Sequence, residues 1–528
     1  MHADLSRSTF RPQRHYSAVL AQQGRVQLDA DANEQTAIQL HRDRTVTADL
    51  IGQHGGPSGA AGFAVEFAAG SGELDDLNIG SGRYYVDGIL CDAARPAPGV
   101  PVPDDRSGDG GDGDAGDGGD GKQPGPPDHW TYWDQPGAHL DPERPGDRLP
   151  ARPFLAYLKV WERAVTAAED PYLRESALGA ATTDTAARRK VIWQVRTLPG
   201  DVLGVEGDEP GKDAVREAFA KWTREKDTST GRLGARSERP DGADDEPCLV
   251  RPDARYRGPE NQLYRVEIHQ GGDAKTAGFK WSRENGSVTF PVDELDGTWA
   301  ALGTLGDDSA LGLTVGDLVE FTDTATAERL DVTQLLRIEE IDLPGRQVRL
   351  SGEPETYRPQ KNPYLRRWDH RAPDGPSPRG GRSARSGRGG EEGRLRAGAL
   401  PVEEGRWLPL EDGVEVWFAE GGTYRTGDYW LIPARTATGE VEWPADAARR
   451  PLLRSPAGIA VHYAPLAWVM GERAASDLRH VFKPLASPVP AATDEELAVE
   501  AEAAAEEDYE QRRAEADSAP LYPGTGGQ

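Results

Sequence analysis

Residues 260–292, ENQLYRVEIHQGGDAKTAGFKWSRENGSVTFPV, constrain the fold most. Over 263–269, Tyr264, Val266 and Ile268 alternate with Arg265, Glu267 and His269. A period of two marks a half-buried strand. Gly271 and Gly272 open a loop, and 279–284 reads as a second strand with Phe279, Trp281 and Arg283 on one face. Asn285-Gly286 supplies the positive-φ pair of a type I′ hairpin, and 287–292 returns. The spacing predicts a three-stranded antiparallel meander. Glu267, His269 and Glu284 lie on or beside its polar side and are the side chains to watch. Their plain reading is as surface residues in cross-strand charge pairs with Arg265, Lys280 or Arg283.

The same alternation recurs along the chain. A short strand is expected within 16–28, where Val26 and Leu28 follow Gly24. Asp31 as N-cap and Glu34 at N3 make a capping box for a helix over 32–50, ended by 52–62. Its apolar face, Ile38, Thr45 and Ala48, is thin, so the helix is expected to depend on a partner surface. Residues 81–92 read as a hairpin turning at Asp87-Gly88. FLAYLKVWER (154–163) and VIWQVRTL (191–198) are strands with a structured loop between them, and 214–221 carries a helical pattern. Short strands at 318–321, 335–341 and 347–350 fit a small barrel. Strand patterning resumes at 407–432, and GDYWLIPA (427–434) is expected to end at Pro433. A last apolar run covers 462–470.

These elements predict a mainly β, multidomain chain of short antiparallel strands in sandwich and small-barrel units, with an N-terminal helix. The expected divisions are a strand-helix unit (1–62), a hairpin unit (63–100), an Asp/Gly/Pro-rich linker (101–150) and a central β domain (151–311) with a polar insert (200–259). A barrel-like unit (312–363), an Arg/Gly-rich linker (364–400), a C-terminal β unit (401–485) and an acidic tail (486–528), helical or disordered, complete the chain.

A length of 528 residues suits roughly three or four domains. A net charge of −28 disfavours nucleic acid and anionic membranes as partners. The basic exception is Arg366, Arg367, Trp368 and Arg371 with the Arg/Gly run over 373–398. It reads either as a contact for nucleic acid or an acidic protein, or as a linker with solvated charges; the absence of interleaved aromatics favours the linker. The Asp/Gly run over 104–121 nearly matches a calcium-binding nonapeptide repeat, but Ala115 stands where its last Asp belongs, so a flexible acidic linker is expected. Cys91 and Cys248 form neither a disulfide framework nor a zinc site, and reduced buried thiols are expected. Residues 1–17 lack an apolar signal core and no window approaches eighteen apolar residues. A cytoplasmic product without a membrane span is therefore expected, with lysis of the cell as the route outside.

No nucleophile elbow, HExxH helix, P-loop or CxxC occurs, and the ten histidines are scattered. The expectation is a protein without catalytic, metal or cofactor residues. Trp130, Tyr132, Trp133, Trp407, Trp417, Trp430 and Trp443 offer rings that could stack on a glycan, although such residues more often fill cores. A glycan-binding module and a cell-wall glycan hydrolase are the rival functions.

Several blocks together resemble an uncharacterised bacterial family found among the genes of phage-tail-like contractile injection systems. They are HYSAVLAQQGRVQLDADANEQ (15–35), ADLIGQHGGP (48–57), GRYYVDGILC (82–91), the run over 156–179, ENQLYRVEIHQGG with FKWSRENGSV, and GDYWLIPARTATGEVEWP (427–444) followed by HYAPLA. Ala32 stands where the related block carries Trp, so docking of the helix here must use other contacts. The resemblance implies a structural or accessory piece of such a particle, at its baseplate or fibre, acting by protein–protein assembly with other tail proteins. It supplies no catalytic residues.

Overall fold

The computed structural model describes residues 1–68, 74–96, 129–178, 184–205, 210–226, 228–237, 256–306, 311–356, 358–371, 395–471 and 475–484. The chain divides into two compact units, Met1–Val481 and Phe482–Gln528. As the alternation predicts, the first unit is mainly β, with many small antiparallel sheets and a closed barrel. The Asp/Gly run, the Arg/Gly run, Cys248 and the acidic tail lie outside the described residues.

Three β assemblies organise this first unit. In one, Phe154–Val165 and Arg188–Pro199 pair along their whole length, with Val461–Val469 on the other side of Phe154–Val165. Two faces of this sheet are buried. Ala156, Leu158 and Val160 pack with the hairpin Arg83–Val86/Ile89–Asp92 and with Val65, Leu77 and Tyr132. Leu155 and Tyr157 pack with Val215 and Phe219 of the helix Lys212–Lys226.

The second assembly is a sandwich. Gln262–Gln270 lies between Gly278–Ser282 and Tyr429–Arg435. A three-stranded sheet of Trp407–Pro409, Val414–Phe418 and Leu233–Ser237 shares its core, which holds Tyr264, Val266, Ile268, Phe279, Val416 and Phe418.

The third is a closed barrel of six strands: Thr289–Asp296, Trp299–Leu302, Leu318–Thr322, Leu335–Asp342, Gln347–Leu350 and Tyr364–Trp368. Phe290, Val319, Ile338, Val348 and Leu365 fill it.

Several expectations need correction. Asn285 and Gly286 do adopt φ of 54° and 65°. The strand after them does not return along Gly278–Ser282. Phe290 and Val292 enter the barrel core instead, and Leu400–Pro401 takes the vacant edge. The barrel therefore runs from 289 to 368, across the expected limits at 311/312 and 363/364. Arg366, Arg367 and Trp368 form no exposed basic patch. They belong to a barrel strand and retain at most 8% exposure. Residues 129–150 are not linker. The Tyr132 amide donates to Leu77 O (2.8 Å), and buried Asp147 takes Arg329 (2.9 Å). The strands of 401–485 form no unit of their own, because they insert between or beside earlier strands of all but the barrel. Pro433 does not end its strand; its carbonyl still accepts the Glu442 amide at 2.7 Å.

At the N-terminus, residues 16–28 make no strand, since Val26 and Leu28 find no sheet to cover. The helix spans Asp29–Ile51 and is capped by Leu28. Asp31 sits at N3, its carboxylate accepting the Leu28 amide at 3.2 Å. Asp29 and Glu34 instead tether the preceding segment, taking the Ser6 and Thr9 hydroxyls at 2.6 Å each.

A chain ending at residue 400 would lose the strands that flank Phe154–Val165 and Gln262–Gln270. We expect this fragment to be insoluble, or to lack a cooperative transition by circular dichroism. A soluble 1–400 fragment with a sharp melt would contradict the strand order.

Candidate functional site

The sandwich and the barrel each bury an apolar face in their own core and turn a polar face to the cavity. With Tyr264, Val266 and Ile268 in the sandwich core, Arg265, Glu267 and His269 point the opposite way, as does Lys280 between Phe279 and Trp281. With Val319, Phe321 and Leu365 inside the barrel, Glu320, Thr322, Tyr364 and Arg366 face outward. On the long hairpin, Trp161 and Arg163 project from the side opposite Val160. These residues line one cavity of about 360 Å³. All but Thr322 and Arg163 of that polar set are under 9% exposed, so the expected solvated face of the central strand is covered.

A buried ion quartet closes one end. The Lys280 ammonium donates to Glu320 and lies 3.2 Å from Glu267 and 4.2 Å from the Trp368 ring centroid. Arg265 Nε donates to Glu267 Oε2 at 2.5 Å, with its guanidinium 3.6 Å from the Tyr429 ring centroid. Trp368 Nε1 donates to Glu320 at 2.8 Å. The first residues of the chain thread in beside them. His2 Nε2 is 3.0 Å from Glu267, and Asn285 Nδ2 donates to the Ala3 and Met1 carbonyls at 2.8 and 3.1 Å.

Burial opposes the charge on Glu267, but Arg265 and Lys280 outweigh it and hold the carboxyl well below its ordinary range. Glu320 is likewise lowered, with Lys280 overcoming burial. Both are ionised at neutral pH, so neither is a proton donor there. His269 is pushed down to about 4 by burial and by Lys280, and is neutral.

A second network adjoins the cavity through Arg163. Arg163 grips Glu169, while Glu328 accepts from Lys190 at 3.0 Å and sits 2.9 Å from His139 Nε2. Burial works against the Glu328 charge, yet His139, Lys190 and Arg163 bring its pKa to about 2.

Of the three watched residues, Glu267 and His269 meet in this cavity. Their expected surface placement is wrong because the barrel covers them; pairing of Glu267 with Arg265 and Lys280 is as expected. Glu284 does not line the cavity. Burial, then Asp369, Asp4 and Glu260, raise its carboxyl to about 7. Nothing in the sequence marks Glu320 and Trp161, which sit on expected strands but on the face away from the core; Tyr364 sits on a strand, Tyr364–Trp368, where a linker is expected. Arg366 was visible only as part of a basic run.

The aromatic set does not form one face. Tyr132 and Trp430 are buried in separate cores, and Trp130 stacks with Arg95. Trp407 and Trp417 are a cross-strand pair 5.6 Å apart, half-buried under Arg236. Cys91 is buried, and burial pushes its thiol up to about 12. Among the described residues, no group of three His, Cys, Asp or Glu is placed to hold a metal ion, and no helix is long and apolar enough to cross a membrane.

The sequence model of DUF6519, described as a family of unknown function, matches residues 1–133 and 214–475. The chain belongs to the DUF6519 family. No curated protein and no solved structure matches it. The DUF6519 match contains the quartet, Tyr364 and Arg366, whereas Trp161 and Arg163 lie in the unmatched stretch between its two parts. The wall of the cavity built by the long hairpin is thus additional to the matched portion.

Two outcomes test the electrostatics. Lys280→Met leaves Glu267 and Glu320 short of a cation and is expected to cost about 3–5 kcal/mol at pH 7. The cost should shrink toward pH 5 as a carboxyl takes a proton, read by urea unfolding at each pH. For Glu284 the sign is opposite to that of a salt-bridged acid. Its pKa is about 7 in the fold against an ordinary 4.5, so the native state holds the extra proton and stability falls as pH rises through that interval. Glu284→Gln should leave stability at pH 5 nearly unchanged and raise it at pH 8 by about 1–2 kcal/mol after solvent screening.

Proposed function

We propose that the protein is a structural or accessory component of a phage-tail-like contractile injection particle, in its baseplate or fibre region, acting by protein–protein assembly. One observation carries this beyond the sequence resemblance. The N-terminal segment presents apolar side chains that no described residue covers: Leu20 is 82% and Val26 84% exposed. Tyr16 and Leu28 are exposed beside them. The helix that follows buries only Ala30 and Ile38, while Val46 and Leu50 remain in solvent. A 23-residue helix with so little packing gains its stability from another surface. A neighbouring tail protein is that surface in this reading, and the tethers from Asp29 and Glu34 hold the segment ready for it.

The test is sedimentation of native lysate with immunoblotting across the gradient. Co-migration with a megadalton particle containing sheath and tube proteins is expected. Leu20→Asp with Val26→Asp should leave the melting temperature unchanged and move the protein to monomer fractions. A wild-type signal confined to monomer fractions, in cells that contain such particles, overturns the reading.

A further inference from the structure

Arg366 presents a problem of charge balance that the described residues do not solve. It is 8% exposed and lines the cavity between the three assemblies. Its Nη2 donates to the Tyr364 hydroxyl at 3.0 Å, and its Nε has no acceptor. Among the described residues no carboxylate lies within the 4.0 Å of an ion pair. Glu320, its cross-strand neighbour, is already engaged by Lys280 and Trp368. A buried guanidinium without a counter-ion costs several kcal/mol, so an anion at this point would be strongly favoured.

Nearby, Trp161 Nε1 lacks a hydrogen-bond acceptor and His269 Nδ1 stands 3.6 Å from Glu320 without a hydrogen bond, whereas Arg163 is paired with Glu169 and Glu328. Lysines and arginines along the lining number seven against four acidic residues, and of the seven Arg163 and Arg425 are paired with Glu169 and Asp428 behind it. The remaining wall mixes threonines with apolar side chains, among them Trp161, Ile459, Val461 and Leu330. A volume of about 360 Å³ is at the small end for organic ligands.

We propose that this cavity binds a small organic anion, with its carboxylate or phosphate group at Arg366 and an apolar or ring-shaped body against Trp161 and Ile459. Guanidinium matches either acid group through paired N–H donors. Met1 and His2 line the site, but the proposal does not rest on the assembly reading.

Isothermal titration of the full chain with benzoate, phenyl phosphate and benzyl alcohol tests it. One or both anions should bind one to one, and the neutral alcohol should not. Benzoate alone assigns a carboxylate, and phenyl phosphate alone a phosphate. Arg366→Gln should weaken binding at least about tenfold, the worth of a lost charged hydrogen bond. Ala327→Leu, which fills the cavity from the helix Thr324–Arg329 and removes no charge, should also abolish it; this variant decides if Arg366→Gln does not fold. Binding of neither anion at millimolar concentration, equal binding of the alcohol, or anion binding unchanged in the folded variants overturns the proposal.

Discussion

Sandwich and barrel are joined through one buried ammonium. Lys280 serves Glu267 from its own sheet and Glu320 from the barrel; it is the main group holding Glu320 ionised and acts on Glu267 after Arg265. Replacing such a pair by apolar residues need not destabilise a fold, but removing one partner leaves an uncompensated charge. The quartet therefore acts mainly on register. If the barrel slid by one residue along Leu318–Thr322, Val319 or Phe321 would meet the ammonium and Glu320 would enter the barrel core. Charge pairing at this junction selects the arrangement in which three apolar cores stay closed at once.

This division of labour decided what could be read from the chain. Apolar positions were legible because period-two patterning speaks about one face at a time. Tyr264, Val266 and Ile268 lie where the alternation places them, the hairpin turns at Asp87-Gly88, and the apolar run over 462–470 coincides with the strand Val461–Val469. Polar positions were misread for the same reason. A strand with charges on its second face looks solvated unless the partner surface is known, and Glu320 and Arg366 lie 53 and 99 residues from Glu267. The type I′ turn at Asn285-Gly286 was also legible, yet a turn states only that the chain reverses. It does not say which sheet receives the next strand.

The cavity follows from the same geometry. The long hairpin, the sandwich and the barrel meet around it, Lys280 and Arg265 are matched by Glu267 and Glu320, and Arg366 is left without a carboxylate among the described residues. No local motif marks it, because its distinguishing property is the absence of a neighbour. A lone arginine in a basic run carries no such information in one dimension.

The strand order also has a temporal side. Phe154–Val165 takes its partner Val461–Val469 from about three hundred residues downstream, and Gln262–Gln270 takes Tyr429–Arg435 across more than 150. Closing such long loops before any pairing rewards them makes folding slow. During synthesis the early strands must wait with unpaired edges until nearly the whole chain has left the ribosome, so production of this protein should depend on chaperone supply more steeply than that of a chain whose β units each close locally.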